Sequence, residues 1–90
     1  MRITEIRVTV LDDAKLRAFV SVTFDHAFAI HGLKVIKGPH GLFVAMPNRH
    51  RRGGGFQDLC HPINTETRLW MEEEIMSKYR AVLEQQSLIG

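Results

Sequence analysis

The stretch LRAFVSVTFD, residues 16–25, decides the fold because its apolar residues recur at every second position. Each even-numbered residue from Leu16 to Phe24 is apolar, whereas Arg17, Ser21 and Thr23 occupy odd-numbered positions. Successive side chains of a β-strand point to opposite faces of a sheet. The pattern therefore predicts a strand over residues 16–25 that buries one face and exposes the other.

The segments on either side continue this alternation. Residues 2–11 predict a first strand. Ile3 is out of phase with the apolar series of this strand and indicates a bulge or a ragged start. The polar segment Asp12–Lys15 predicts a hairpin turn. Residues 26–36 predict a third strand whose phase slips at Gly32. A β-bulge at this glycine would return the apolar residues to one common face.

The next segments are shorter. Gly38–Gly41 contains Gly and Pro at turn spacing, and the following strand Leu42–Met46 is wholly apolar, which predicts burial on both of its faces. Pro47 ends that strand, and Phe56–Cys60 predicts another short one.

The C-terminal third predicts the only helix. Asn64 or Thr65 is a suitable N-cap, and fraying is expected near Gln86. The apolar residues at helical spacing are Leu69, Ile75, Met76, Tyr79, Val82 and Leu83. The expected fold is α+β: one domain over residues 1–86, with a small antiparallel sheet of four to five strands and one C-terminal α-helix, followed by a flexible tail at residues 87–90.

The length and composition favour a partner subunit. A chain of 90 residues buries only roughly 60–65% of its unfolded surface, so domains of this size usually need an additional source of stability. The single cysteine, Cys60, cannot form an internal disulfide and indicates a reducing compartment. The N-terminus lacks the apolar region of a signal peptide, and no apolar run approaches the roughly 20 residues of a spanning helix. We therefore expect a cytoplasmic homodimer without membrane contact.

A basic segment is the main candidate for a binding site. Arg49, His50, Arg51 and Arg52 precede three glycines, and the non-periodic stretch Asn48–Gly55 predicts a mobile loop. Guanidinium groups bind phosphate oxygens in a bidentate manner. The alternative interpretation is a solvated hairpin tip, but no acidic residue nearby neutralises these charges. The predicted nucleic-acid-binding residues are Asn48, Arg49, His50, Arg51, Arg52 and Gln57.

Other chemistries have weak support in the sequence. The five histidines are scattered, and no Cys-x-x-Cys or His-x-x-x-His pair provides the usual spacing of zinc ligands. Cys60 and His61 are adjacent, but no oxyanion motif flanks them, and the three glycines lack the lysine and the helix of a P-loop. We expect a protein that is not an enzyme and that takes no metal, cofactor or small-molecule substrate.

Several blocks of the sequence resemble the SpoVG (stage V sporulation protein G) family. They extend from about Arg2 to Tyr79 and include FDHAF at 24–28, HGLKVI at 31–36, GLFVAMP at 41–47, FQD at 56–58 and HPIN at 61–64. The resemblance implies a compact α+β protein whose protomers pair through their sheets. It also implies a regulator that binds DNA, and in some members RNA, and that is linked to sporulation and to formation of the division septum.

The basic segment departs from the family pattern. Relatives usually carry Ser-Lys-Arg where this chain has Asn48, Arg49 and His50, and they commonly have arginine at the position of Gln57. Arg51 and Arg52 restore the positive charge lost at these positions. The alternative to a nucleic-acid-binding regulator is an adaptor in septum formation, which would bind a protein partner by strand addition or helix docking without contacting nucleic acid.

Overall fold

The computed structural model describes residues 1–89 and confirms the α+β fold, with an antiparallel sheet and one C-terminal helix. Its elements are β1 (Ile3–Val10), β2 (Leu16–Phe24), β3 (Phe28–Gly38), β4 (Gly41–Ala45), β5 (Asn48–His50), β6 (Phe56–Asp58) and α1 (Thr65–Ile89). The first four strands form one sheet in the order β1-β2-β3-β4, and β5 pairs with β6 in a separate two-stranded sheet.

Strand β2 lies in the middle of the main sheet and confirms the predicted alternation. Its neighbours β1 and β3 both pair with it in antiparallel fashion. The side chains of Ala18, Val20, Val22 and Phe24 are buried, as the even-numbered apolar series predicts. The apolar alternation is therefore the main determinant of which face of the sheet becomes the core.

The predicted bulge at Gly32 is confirmed. Val20 pairs with Leu33 and Val22 pairs with Ile30, so β3 contains one more residue than β2 across this interval. Gly32 has a φ of +87°, which glycine adopts without the steric cost that a Cβ would bring. The extra residue places Ile30 and Leu33 against the same core despite their opposite parity.

The turn between β2 and β3 differs from the prediction that a third strand starts at His26. Asp25 and His26 have positive φ values of 50° and 52°, and the amide of Ala27 donates to the carbonyl of Phe24 at 2.9 Å. Two consecutive left-handed residues make a tight turn, so β3 begins at Phe28. Asp tolerates this conformation because its short polar side chain can form local hydrogen bonds.

The prediction that Leu42–Met46 is buried on both faces is wrong within the single chain. Val44 is buried, but Phe43 on the opposite face of β4 is 47% exposed and Leu42 is also exposed. The reason is that β4 is an edge strand of the sheet and α1 covers only one face. An apolar strand thus indicates that both of its faces form contacts. It does not indicate whether the same chain or another molecule provides them.

The helix begins where the sequence predicts. The side-chain oxygen of Asn64 accepts a hydrogen bond from the amide of Thr67 at 2.7 Å, which identifies Asn64 as the N-cap. Met71, Ile75 and Tyr79 form the buried stripe at spacings of four residues. Leu69 was wrongly expected on that stripe and is 53% exposed, because it lies two residues before Met71 and therefore on the far side of the helix.

The helix ends later than predicted. It continues to Ile89, whereas fraying was expected near Gln86 and a tail over residues 87–90. No glycine or proline precedes Gly90 in this segment, so no residue there opposes continued helical hydrogen bonding. Gly90 itself lies outside the described residues.

The core lies between α1 and one face of the main sheet. The helix contacts β1 and β4, and the rings of Phe24 and Trp70 lie 6.3 Å apart at one end of this layer. The opposite face of the sheet carries Phe19 and Phe43, which remain 43% and 47% exposed. Across residues 1–89, no helix is both long enough and apolar enough to traverse a bilayer.

Candidate nucleic-acid interface

The basic segment is a β-hairpin and not the mobile loop that was predicted for Asn48–Gly55. Strand β5 pairs with β6 so that Asn48 lies opposite Asp58, Arg49 opposite Gln57 and His50 opposite Phe56. At the base of this hairpin, the amide of Leu59 donates to the carbonyl of Pro47 at 2.7 Å. Backbone hydrogen bonds therefore hold the candidate site residues in a defined register.

Glycines close the tip of the hairpin. The amide of Arg51 donates to the carbonyl of Gly55 at 3.0 Å, and the amide of Gly54 donates back to the carbonyl of Arg51 at 3.2 Å. The resulting three-residue loop, residues 52–54, requires left-handed backbone near its end. Gly54 and Gly55 supply it with φ values of +102° and +78°. The glycine run thus permits a tight turn immediately after the basic residues.

The hairpin presents three exposed arginines. Arg49, Arg51 and Arg52 are all exposed, and together with His50 and Gln57 they line an open cleft of about 380 Å³. The salt bridges found within residues 1–89 join Arg7 to Glu5 and Arg68 to Glu72, and neither involves the hairpin. The cleft is therefore a positively charged surface without an acidic partner in the described part of the chain.

Asn48 has a different position from the other predicted site residues. Its side chain is half-buried, and its amide nitrogen donates to the carbonyl of Met46 at 2.9 Å. This contact fixes the chain as it leaves β4 and enters β5. The structure thus brings five of the six predicted residues to one cleft and places Asn48 at its base.

An aromatic pair accompanies the arginines, and only His50 of this pair is among the predicted site residues. The rings of His50 and Phe56 face each other across the hairpin, with centroids 4.4 Å apart and ring planes tilted by 39°. The sequence pattern predicts only a short strand at Phe56. A hairpin register centred on the glycine run would place Phe56 opposite His50 and therefore next to the cleft.

The remaining histidines and Cys60 do not assemble with the hairpin. His31 Nδ1 lies 2.8 Å from Ser21 Oγ on the main sheet, and His61 Nδ1 lies 2.9 Å from the carbonyl of Pro62. Cys60 is half-buried and borders an apolar cavity of about 280 Å³ next to Phe24. In the described residues, no three His, Cys, Asp or Glu side chains converge as metal ligands.

The chain is similar to known proteins over most of its length. The sequence model of the SpoVG family matches residues 1–81. A protein from Anaeromyxobacter sp. (strain K) is 49% identical over 79 residues, which cover 88% of this chain and 78% of the relative. A protein from Caldicellulosiruptor bescii is 43% identical over 84 residues, which cover 92% of this chain and 96% of the relative. A protein from Clostridium novyi is 47% identical over 83 residues, which cover 91% of this chain and 83% of the relative. All three relatives bear the name "Putative septation protein SpoVG". The chain belongs to the SpoVG family.

Proposed function

We propose that the protein is a non-enzymatic regulator that binds DNA or RNA as a homodimer, using the β5–β6 hairpin to contact phosphates. One observation supports this most directly: Arg49, Arg51 and Arg52 are exposed on a hydrogen-bonded hairpin and form no salt bridge within residues 1–89. Three positive charges held close together repel one another, and a polyanion removes that repulsion.

The hairpin geometry suits a phosphate backbone. Arg49 lies one residue before His50 in β5, Arg51 follows directly after the strand, and both line the same cleft. Each guanidinium can then bind a different phosphate through bidentate hydrogen bonds. Such contacts supply affinity and orientation but carry little information about base sequence.

The homodimer is proposed from the exposed apolar side chains of the main sheet. Phe19 and Phe43 lie on the face that α1 does not cover, and β4 is an edge strand. A second copy of the chain would bury these side chains and add to the thin core of a small domain. We expect the mass of two chains in light scattering at micromolar concentration and a shift toward one chain for Phe43→Glu. The mass of one chain for the unmodified protein would contradict the proposal.

The relatives' names concern septation, and we propose that the regulated process is related to division or sporulation. An adaptor role is the second candidate, because the free edge of β4 offers unpaired backbone groups to an added strand. An adaptor of this kind would bind a division protein directly, and that binding would survive removal of nucleic acid.

Recovery of bound molecules from cells distinguishes these two functions. The tagged protein and a variant with Arg49, Arg51 and Arg52 replaced by alanine are purified side by side, with and without nuclease treatment. We expect the unmodified protein to retain nucleic acid and the variant to lose it. RNase and DNase used separately identify which polymer is bound. A division protein that remains bound to both proteins after nuclease treatment, with no nucleic acid recovered, would favour the adaptor.

A further inference from the structure

We infer that the His50–Phe56 ring pair is a stacking platform for an unpaired nucleobase, so that the hairpin prefers single-stranded to duplex nucleic acid. The inference rests on the proposed function, since it names the class of nucleic acid taken by the same site. It depends on three properties of the hairpin: the contact between the rings, the exposure of Phe56 and the position of His50 among the arginines.

The ring pair is preorganised. His50 and Phe56 are directly opposite in the antiparallel register, and their centroids lie 4.4 Å apart. The backbone pairing of β5 and β6 fixes the positions of the Cα atoms that carry both rings. A base that stacks on the rings therefore binds a surface that is already formed. Preorganisation of this kind reduces the entropy lost on binding.

Phe56 is exposed although it is a large aromatic residue. Its exposed fraction is 62%, although the ring of His50 lies against it. The ring contributes nothing to the buried core, whose members lie on the main sheet and α1. An exposed aromatic ring that is held in place by a neighbour presents a flat apolar surface of the kind on which bases stack.

The arginines place a phosphate backbone next to the rings. His50 lies between Arg49 and Arg51 in the sequence and lines the same cleft. A nucleic-acid strand whose phosphates contact these guanidinium groups therefore runs past His50, whose ring lies against Phe56. In a duplex the bases are already stacked on their neighbours, whereas in a single strand they are free to turn toward an aromatic surface.

The expected recognition tolerates different base sequences. Every base has a π-face, so stacking on Phe56 adds affinity without a hydrogen-bond code. The arginine contacts are equally independent of sequence. Together they predict a site that distinguishes unpaired from paired segments more strongly than it distinguishes one sequence from another.

A purely structural role for the ring pair gives a different expectation. Cross-strand aromatic pairs stabilise hairpins, and disruption of the pair would then misplace the arginines and weaken every phosphate contact. The two roles are separated by a ligand that retains the phosphates and lacks the bases. An abasic strand is such a ligand.

The experiment compares two variants on three probes of matched length. The variants are Phe56→Leu, which keeps an apolar side chain and removes the π-face, and the control Phe28→Leu, which alters a similarly exposed aromatic residue (66%) outside the hairpin. The probes are an oligothymidylate of about 20 nucleotides, an abasic strand of the same length and a duplex of the same length. Fluorescence anisotropy at one fixed salt concentration gives the affinities.

We expect Phe56→Leu to weaken binding to oligothymidylate by about fivefold or more and to leave the abasic strand and the duplex unchanged. The control Phe28→Leu should bind all three probes like the unmodified protein. Ring-proton shifts of His50 and Phe56 on addition of oligothymidylate, measured by NMR in the unmodified protein, provide a second readout that needs no variant.

The opposite results overturn the inference. If the unmodified protein binds oligothymidylate and the abasic strand equally, and binding still requires the arginines, the proposed function stands and base stacking is wrong. An equal loss on the abasic strand for Phe56→Leu would assign the ring pair a structural role only. A protein that binds none of the three probes would overturn both the inference and the proposed function.

Discussion

Replacement of Arg51 by alanine should reduce the salt dependence of duplex binding by an amount that the structure allows us to estimate. Each hairpin carries three exposed arginines without salt bridges in the described residues, so the proposed dimer would neutralise about six phosphates. Counterion release then gives a slope of log K against log salt of about −5.4. The substitution removes two contacts from the dimer, and the slope should fall to about −3.6.

This difference in slope is large enough to measure. Between about 50 and 200 mM salt, the unmodified protein should lose roughly 2,000-fold in affinity and the Arg51→Ala variant roughly 150-fold. Anisotropy titrations of a labelled duplex at four salt concentrations within this range give both slopes. Circular dichroism before the titrations establishes that the variant is folded.

Arg80→Ala is the matched control because it removes the same charge from an exposed position on α1. Its slope should equal that of the unmodified protein. An unchanged slope for Arg51→Ala would refute the assignment of the hairpin as the phosphate contact. Equal falls in slope for both variants would mean that binding follows net charge and not the hairpin.

Two further predictions concern stability. The carboxylate of Asp13 accepts hydrogen bonds from the amides of Leu16 and Lys15 at 2.7 and 2.9 Å, and these bonds lower the pKa of Asp13. Because the folded pKa lies below the ordinary value, the stabilisation from Asp13 is present at neutral pH and is lost as the pH falls through the folded pKa. The difference in denaturation midpoint between Asp13→Ala and the unmodified protein should therefore become smaller in acid. A difference that stays constant with pH would contradict this prediction. In the helix, Ile75→Ala should lower the free energy of unfolding by about 2–4 kcal/mol because Ile75 is fully buried. The exposed Leu69 serves as the control, and Leu69→Ala should change the free energy of unfolding by less than about 0.5 kcal/mol. Urea denaturation measures both values, and similar losses for the two variants would contradict the buried stripe.

The main sheet was predictable because burial leaves a periodic pattern in the sequence. The alternation in β2 and the phase slip at Gly32 both follow from side chains that must reach one core. The exposed position of Phe43 was not predictable, since an apolar residue has the same appearance in the sequence whether the same chain or another molecule covers it.

The candidate site was predictable in its residues and not in its shape. Arg49, Arg51 and Arg52 stand out by charge alone, but β5 and β6 have only three residues each and bury almost nothing. Strands without a buried face have no apolar alternation to reveal them. The facing positions of His50 and Phe56 depend on the hairpin register, which backbone hydrogen bonds and glycine conformation determine.

The separation of the β5–β6 hairpin from the hydrophobic core has an evolutionary consequence. Residues 49–58 contribute no buried side chain, so substitutions there cost the domain little folding free energy. A substitution that changes a charged or aromatic side chain of the hairpin can therefore alter partner preference while the rest of the domain stays folded. Exchange of the β5–β6 hairpin between homologues should transfer ligand preference while the main sheet and α1 remain the same.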